Sequence, residues 1–301
     1  MKITRPSLSI IEQDLGVEGI YKQIELAGRT CYKSEDKITE TSAKSFVERM
    51  IASKHYAMLE HGTVYLSIPD TWNEEQNIGR KLSQNKYSKF YYHDCTWYIT
   101  TNLRVLVENE LMDALKYVCA PTQYHYKRVT VLFHTQIAIS REFNRHRVNS
   151  MAESSTRYCN YSKDKFDNEI SVNLPTWINA DDITKDKVSD TSIKAMLLSL
   201  SNEFGYAINF QDDLSDLDYW LIANVVAEHC YMKLIEKGWK AQQARTILPL
   251  DTHTDLVHTA FVDDWKHFID LRAIGTTGKP HPDAEILANS LYNELKKHNL
   301  V

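Results

Sequence analysis

"RVTVLFHTQIAISREFNRHRVNSMAESSTRY", Arg128 to Tyr158, changes its pattern twice within one short stretch. "RVTVLFHTQ" is dense in β-branched and aromatic residues and reads as a strand. "ISREFNR" then sets Arg141 and Arg145 four apart, which a helix places on one face. Beyond Arg147, Glu153, Ser155 and Arg157 alternate, and an extended chain points all three the same way. Strand, helix and strand in such close succession predict a mixed fold of the α+β kind.

The same stretch gathers Arg145, His146, Arg147 and Arg157 around Glu142 and Glu153 in a chain of formal charge −5. Guanidinium, hydroxyl and carboxylate groups on one surface complement a phosphorylated, hydroxylated ligand such as a nucleotide. A salt-bridge network internal to the chain accounts for the same residues, and the stretch alone does not choose between them.

Working outward, the 301 residues suffice for a sizeable core, and 43% hydrophobic with 25% charged residues is ordinary globular composition. Mean hydropathy is −0.43, and no run approaches the roughly 18 apolar residues of a membrane span. "MKITRPSLSI" has no apolar core with a cleavage site, so no secretory leader is expected. A pI near 6.2 argues against coating nucleic acid. A cytoplasmic enzyme is the expectation. Cys31, Cys95, Cys119, Cys159 and Cys230 are odd in number and form no CxxC pair, which predicts reduced thiols and no zinc site. "GTTGKP" (Gly275 to Pro280) is too short for a P-loop, and no GxGxxG follows a strand, so phosphates would be bound by arginines.

"KITRPSLSII" predicts an N-terminal strand, and "GVEGIYKQIELAGRT" and "ETSAKSFVERMIASKH" two amphipathic helices. Thr63–Ile68 predicts a strand between Gly62 and Pro69. From about 70 to 127 the chain turns polar and rich in Tyr and Asn, with one helical piece at "LRVLVENELMDALKY". This reads as an insertion whose aromatics form a recognition surface or pack it onto the main body. Farther on, "DTSIKAMLLSLSNEFGYAINF", "DLDYWLIANVVAEHCYMKLIEKG" with Gly238 as C-cap, "WKAQQARTILPL", "DDWKHFIDLR" and "PDAEILANSLYNELKKH" read as helices, and "TDLVHTAFV" as a strand. The chain, 1–301, is expected to be a single domain carrying the insertion.

Two distant arginines bear on the ligand question. Arg272 extends the apolar stripe of Trp265, Phe268 and Ile269, where a guanidinium must find a partner. Arg245 stands just before an apolar helix end. Either could be answered by a ligand anion or by one of the chain's own carboxylates. His55 and His61 lie six apart, unlike a helical metal pair, so no metal is expected.

"RHRVNSMAESS", Arg145 to Ser155, resembles the R-H-R-x7-S signature of the flavin-dependent thymidylate synthases. "TRYCNYSKDKF", "AGRTCYKS", "SKHYAMLEHGTV", "QQARTILP" and "WKHFIDLR" resemble family blocks in family order. The resemblance implies that family's fold, a sheet packed with long helices, in a homotetramer with active sites at subunit interfaces. It implies bound FAD, with dUMP, methylenetetrahydrofolate and NADPH as substrates. The reduced flavin supplies the hydride, uracil C5 is the carbon nucleophile, and no cysteine attacks the ring. It also implies roles: Arg145, His146 and Arg147 toward FAD, with His55, Glu153, His267 and His281 on the flavin side. Glu142, Arg145, Glu153, Ser155, Arg157, Arg245 and Arg272 would line the dUMP site, with Arg272 as the catalytic group that polarises the uracil.

Three departures stand out. Where many members carry Asn-x-Arg before the "WKHF" block, this chain has Phe261-Val262-Asp263, so the far end of FAD must be held differently. The Arg272-to-His281 connection looks longer than in compact members, which also lack the insertion. These departures keep two other readings open: a relative with a different one-carbon outcome such as hydroxymethylation, and a non-catalytic nucleotide- or RNA-binding relative.

Overall fold

A computed structural model describes residues 1–70, 77–178 and 216–301. The chain divides into a smaller compact unit, residues 1–6, 135–139 and 155–254, and a larger one, residues 7–134, 140–154 and 255–301. The strands in chain order are β1 (Lys2–Thr4), β2 (Ser7–Ile11), β3 (Thr63–Pro69), β4 (Lys89–His93), β5 (Thr96–Asn102), β6 (Arg128–Gln136), β7 (Ser150–Glu153), β8 (Ser171–Asn173) and β9 (His253–Phe261). The helices are α1 (Gly16–Tyr32), α2 (Ser42–Ala52), α3 (Ile78–Ser83), α4 (Leu103–Glu108), α5 (Ile137–Phe143), α6 (Asp216–Glu236), α7 (Ala241–Ala244), α8 (Val262–Ile269) and α9 (Pro282–Lys297). The architecture is mixed α and β, as the sequence predicts. The helix expected over 190–210 lies outside the described residues, as do 71–76 of the insertion.

In the larger unit one sheet runs β2-β6-β9-β7, with β2 antiparallel to β6 and β7 antiparallel to β9. A second, antiparallel sheet runs β3-β5-β4. Ile20 and Ile24 of α1, Phe46 and Val47 of α2, and Val64, Leu66 and Ile99 of the second sheet share one core. Full burial of each such side chain stabilises the fold by about 1.5–3 kcal/mol. Gly62 is fixed by this packing, because a Cβ there would lie 2.6 Å from Ile24 Cδ1. A separate aromatic core joins Phe133, Phe143, Trp265 and Phe268, with Phe143 and Phe268 edge to face at 4.8 Å.

In the smaller unit β1 pairs in parallel with β8. Cys159, Tyr161, Ile170, Val172 and Tyr231 form its core, with Ile3 and Trp220 against them. Gly238 follows α6 at φ 92°, the left-handed conformation a helix stop favours.

Four expectations are corrected. The N-terminal strand is broken at Arg5-Pro6 into β1 and β2, since proline lacks the N–H a ladder needs. The helix through "ISREFNR" ends at Phe143, short of Arg145. There the chain tightens to three-residue bonds: Glu142 O accepts the Arg145 amide at 3.3 Å as well as Arg272 Nη2 at 2.9 Å, and the His146 amide turns to Phe143 O. Arg145 therefore leaves the Arg141 face. The extended run from Glu153 to Arg157 stops with β7 at Glu153, and Ser155 O accepts the amides of Tyr158 and Cys159 at 3.1 and 2.9 Å, closing a turn. The helix expected in "WKAQQARTILPL" is only α7 followed by a 3₁₀ turn, Arg245–Ile247.

The insertion is more ordered than its composition suggests. Its aromatic stretch forms the β4–β5 hairpin, turning at Asp94 and Cys95, both with positive φ, 47° and 50°. Asp70 anchors it, accepting Trp97 Nε1 at 3.1 Å, Tyr92 OH at 2.8 Å and Asn77 Nδ2 at 2.6 Å. The helical piece at Leu103–Tyr117 divides into α4 and a 3₁₀ turn, Met112–Tyr117.

Candidate active site

Arg272 is the centre of a polar knot in the larger unit. The α8 helix buries Trp265, Phe268 and Ile269, then widens into a π-helical turn, Asp270–Ile274, that carries Arg272. Such turns are rare and recur at functional sites. Arg272 Nη1 donates to Glu142 Oε2 at 2.6 Å, Nη2 to Glu142 O at 2.9 Å, and Nε to His146 Nε2 at 3.3 Å. The Nε bond requires His146 to be neutral with its proton on Nδ1. Burial, then the charges of Arg272 and His267, lower the His146 pKa to about 4. His267 is exposed, with its ring 6.0 Å from that of His146.

Glu153 is held by two side chains of the larger unit. Its carboxylate accepts Ser140 Oγ at 2.6 Å and Asn144 Nδ2 at 3.1 Å. Ser140 and Asn144 carry no mark in the sequence; their roles follow from how α5 ends beside β7. Two further buried histidines stand nearby, one ending the 3₁₀ turn Tyr56–His61 and one on β9. His61 bonds Thr259 Oγ1 at 2.9 Å, and burial followed by the charge of Arg128 lowers its pKa to about 3. His258, on β9, is held well below its ordinary value by burial and by the charges of His146 and His61.

The other expected residues are placed separately. Arg145 and Arg147 are exposed, as is His55, which precedes the 3₁₀ turn Tyr56–His61. His281 caps α9: its Nδ1 accepts the Asp283 amide at 3.3 Å, with Pro282 beginning the helix. In the smaller unit Arg245 Nη1 donates to Thr156 Oγ1 at 3.2 Å, and exposed Arg157 lies over the Tyr158 ring at 5.5 Å. The turn beginning at Ser155 thus brings Ser155, Thr156, Arg157 and Arg245 into one neighbourhood, a concentration of donors suited to an anion.

The family model described as "Thymidylate synthase complementing protein" matches residues 124–299, which contain Glu142, the whole Arg145–Ser155 signature and Arg272. The chain belongs to the flavin-dependent thymidylate synthase family. A stretch of 60 residues is 42% identical to a probable flavin-dependent thymidylate synthase of Paramecium bursaria Chlorella virus 1, covering 20% of this chain and 26% of that protein. Over 150 residues it is 27% identical to a flavin-dependent thymidylate synthase of Thermosipho melanesiensis, covering 49% of this chain and 56% of that protein. The chain thus spans about a quarter and about half the length of these two relatives. Among solved structures it is similar to the UMP/dUMP methylase PolB from Streptomyces cacaoi bound with 5-Br dUMP, with 15% identity, 99% and 93% of the two chains covered and a TM-score of 0.41. At that distance the likeness says nothing of activity.

Phe261 and Asp263 share a partner in the inserted segment. Lys89 of the inserted hairpin donates from Nζ to Asp263 Oδ2 at 2.9 Å and lies 4.7 Å from the Phe261 ring centroid. The groups present suit a flavin with a phosphate tail: exposed guanidinium groups at Arg145 and Arg147, a neutral imidazole at His146, and an aromatic face at Phe261.

Proposed function

We propose that the chain catalyses the reductive methylation of dUMP to dTMP, with methylenetetrahydrofolate as carbon donor, NADPH as reductant and FAD as the bound cofactor. It would act in the cytoplasm as a homotetramer with active sites at its subunit interfaces. The observation that carries the reading is the polar knot at Arg272, set within the family match.

In this reading Arg272 is the catalytic cation. Three of its N–H groups are engaged by Glu142 and His146, and a guanidinium has five, so one on each terminal nitrogen remains for a uracil oxygen. Fixed this way, it stabilises negative charge as it develops in the ring, with no reorganisation at the moment of reaction. Glu142 orients it from beneath, and the neutral His146 accepts from it without adding a competing charge. Arg145, His146, Arg147, His55, Glu153, His267 and His281 would hold the flavin, which supplies the hydride when bound. Glu142, Arg145, Glu153, Ser155, Arg157 and Arg245 would hold dUMP, with Arg157 and Arg245 meeting its phosphate. Cys159 is 2% exposed within the smaller unit's core, a poor position for a nucleophile.

The first test is colour. Purified or FAD-reconstituted protein is expected to show flavin absorption that bleaches when NADPH is added without oxygen. A protein that neither carries nor takes up FAD contradicts the reading.

A further inference from the structure

The larger unit contains a cleft of about 530 Å³ lined by Lys86, Lys89, Arg104, Arg128, Arg147 and Phe261. That size suits part of a cofactor. The carboxylates on its wall are Glu60, Glu108 and Asp264. Arg104 is matched by Glu60 at 2.6 Å and Glu108 at 2.8 Å, and Lys89 by Asp263. Arg128 is different. Its guanidinium donates to Glu60 O, Thr63 Oγ1 and Ser150 Oγ at 3.1, 3.3 and 3.4 Å, all uncharged acceptors. Burial lowers its pKa to about 10, while Tyr65, Glu60 and Asp264 act on it only through space. A half-buried cation with no bonded anion among the described residues is costly, and an anion in the cleft would offset that cost.

Three of these cations come from the insertion: Lys86 just before β4, Lys89 at its start, and Arg104 on α4, whose charge Glu60 and Glu108 answer. The Lys89 ammonium and the Arg128 guanidinium stand over the Phe261 ring, 4.7 and 5.5 Å from its centroid. The cleft therefore gathers positive charge around one aromatic side chain, which fits the phosphates of a dinucleotide.

We infer that the insertion is a cofactor-specificity element: Lys86 and Lys89, with Arg128 and Arg147, bind the phosphates of the flavin dinucleotide in this cleft. The inference rests on the reading of the chain as an FAD enzyme and goes beyond it in assigning the insertion a role. Lys89 is paired with Asp263 and cancels that acidic charge beside the cleft, so the positive charge left for the phosphates comes from Lys86, Arg128 and Arg147.

The test is a fluorescence titration of the full chain with FAD, FMN, riboflavin and NADPH. It compares the unaltered protein with Lys86→Ala/Lys89→Ala and with Lys89→Arg. The double variant is expected to lose FAD affinity by about tenfold or more, from loss of charge-assisted bonds, while riboflavin affinity holds. Lys89→Arg should retain FAD, and added salt should weaken FAD more in the unaltered protein than in the double variant. Unchanged FAD affinity in the double variant, or an equal loss for riboflavin, overturns the inference and leaves the enzymatic reading standing. A loss confined to NADPH overturns it in favour of the other dinucleotide. If the unaltered protein binds no flavin, both fall together.

Discussion

Two arginines in the larger unit, Arg272 and Arg128, meet opposite surroundings. Arg272 has a carboxylate at 2.6 Å and a neutral imidazole at 3.3 Å, so its orientation is settled by the chain. Among the described residues, the Arg128 guanidinium bonds only carbonyl and hydroxyl oxygens. A pre-paired cation acts by being held still; an unmatched one is suited to receiving a charge from outside. The first suits a group that touches the reacting ring, the second a group that grips a cofactor.

The sharpest way to break this contrast is to delete the first arginine. Arg272→Ala is expected to keep FAD bound and to lose turnover by roughly a hundredfold or more. Glu142→Gln, which keeps the shape but weakens the clasp, should fall between it and the unaltered enzyme. Retained turnover in Arg272→Ala, read in a steady-state assay alongside flavin absorbance, contradicts the polarising role.

A second effect reads the buried histidines by pH. His146 and His61 are held neutral, with folded pKa values of about 4 and about 3, against about 6.5 unfolded. The unfolded chain takes up protons first, so stability falls as pH drops below about 6.5 and continues to fall toward those lower values. Each histidine should remove on the order of 2 kcal/mol by pH 5. Urea melts from pH 7.5 to 5 measure it, and His146→Asn should flatten the profile. A flat profile in the unaltered protein counts against neutral buried histidines. Arg128 keeps its charge across this range, and that charge helps to hold His61 neutral.

The smallest expected effect is Cys159→Ala. The thiol packs in the smaller unit's core, outside both arginine settings, and its loss should leave turnover within about twofold. An inactive variant that still folds, judged by circular dichroism and flavin content, would reopen covalent catalysis.

Much of this architecture was legible in the chain. The three- and four-residue spacing in α1, α2, α8 and α9 marked helices, and Gly238 marked a stop. Arg272 at the end of an apolar stripe required a partner, and the structure provides Glu142 from 130 positions away. That distance is why α5 was expected to run too far: nothing local reveals that a remote guanidinium takes the Glu142 carbonyl. The β4–β5 hairpin was missed because Asp94 and Cys95 adopt left-handed conformations without the glycine that usually signals such a turn. Glu153 alternates with Ser155 and Arg157 in sequence, yet Ser140 and Asn144 hold it once β7 ends. The insertion's cations were invisible as a group, since Lys86 and Lys89 join Arg104, Arg128 and Arg147 only across the fold.

The most direct test of the central claim weighs the product. The protein is incubated with FAD, NADPH, methylenetetrahydrofolate and dUMP, and the nucleotide is analysed by mass spectrometry. The account predicts dTMP, formed only when all four are present and lost in Arg272→Ala. A hydroxymethylated nucleotide, or dUMP returned unmodified by flavin-loaded protein, would contradict it.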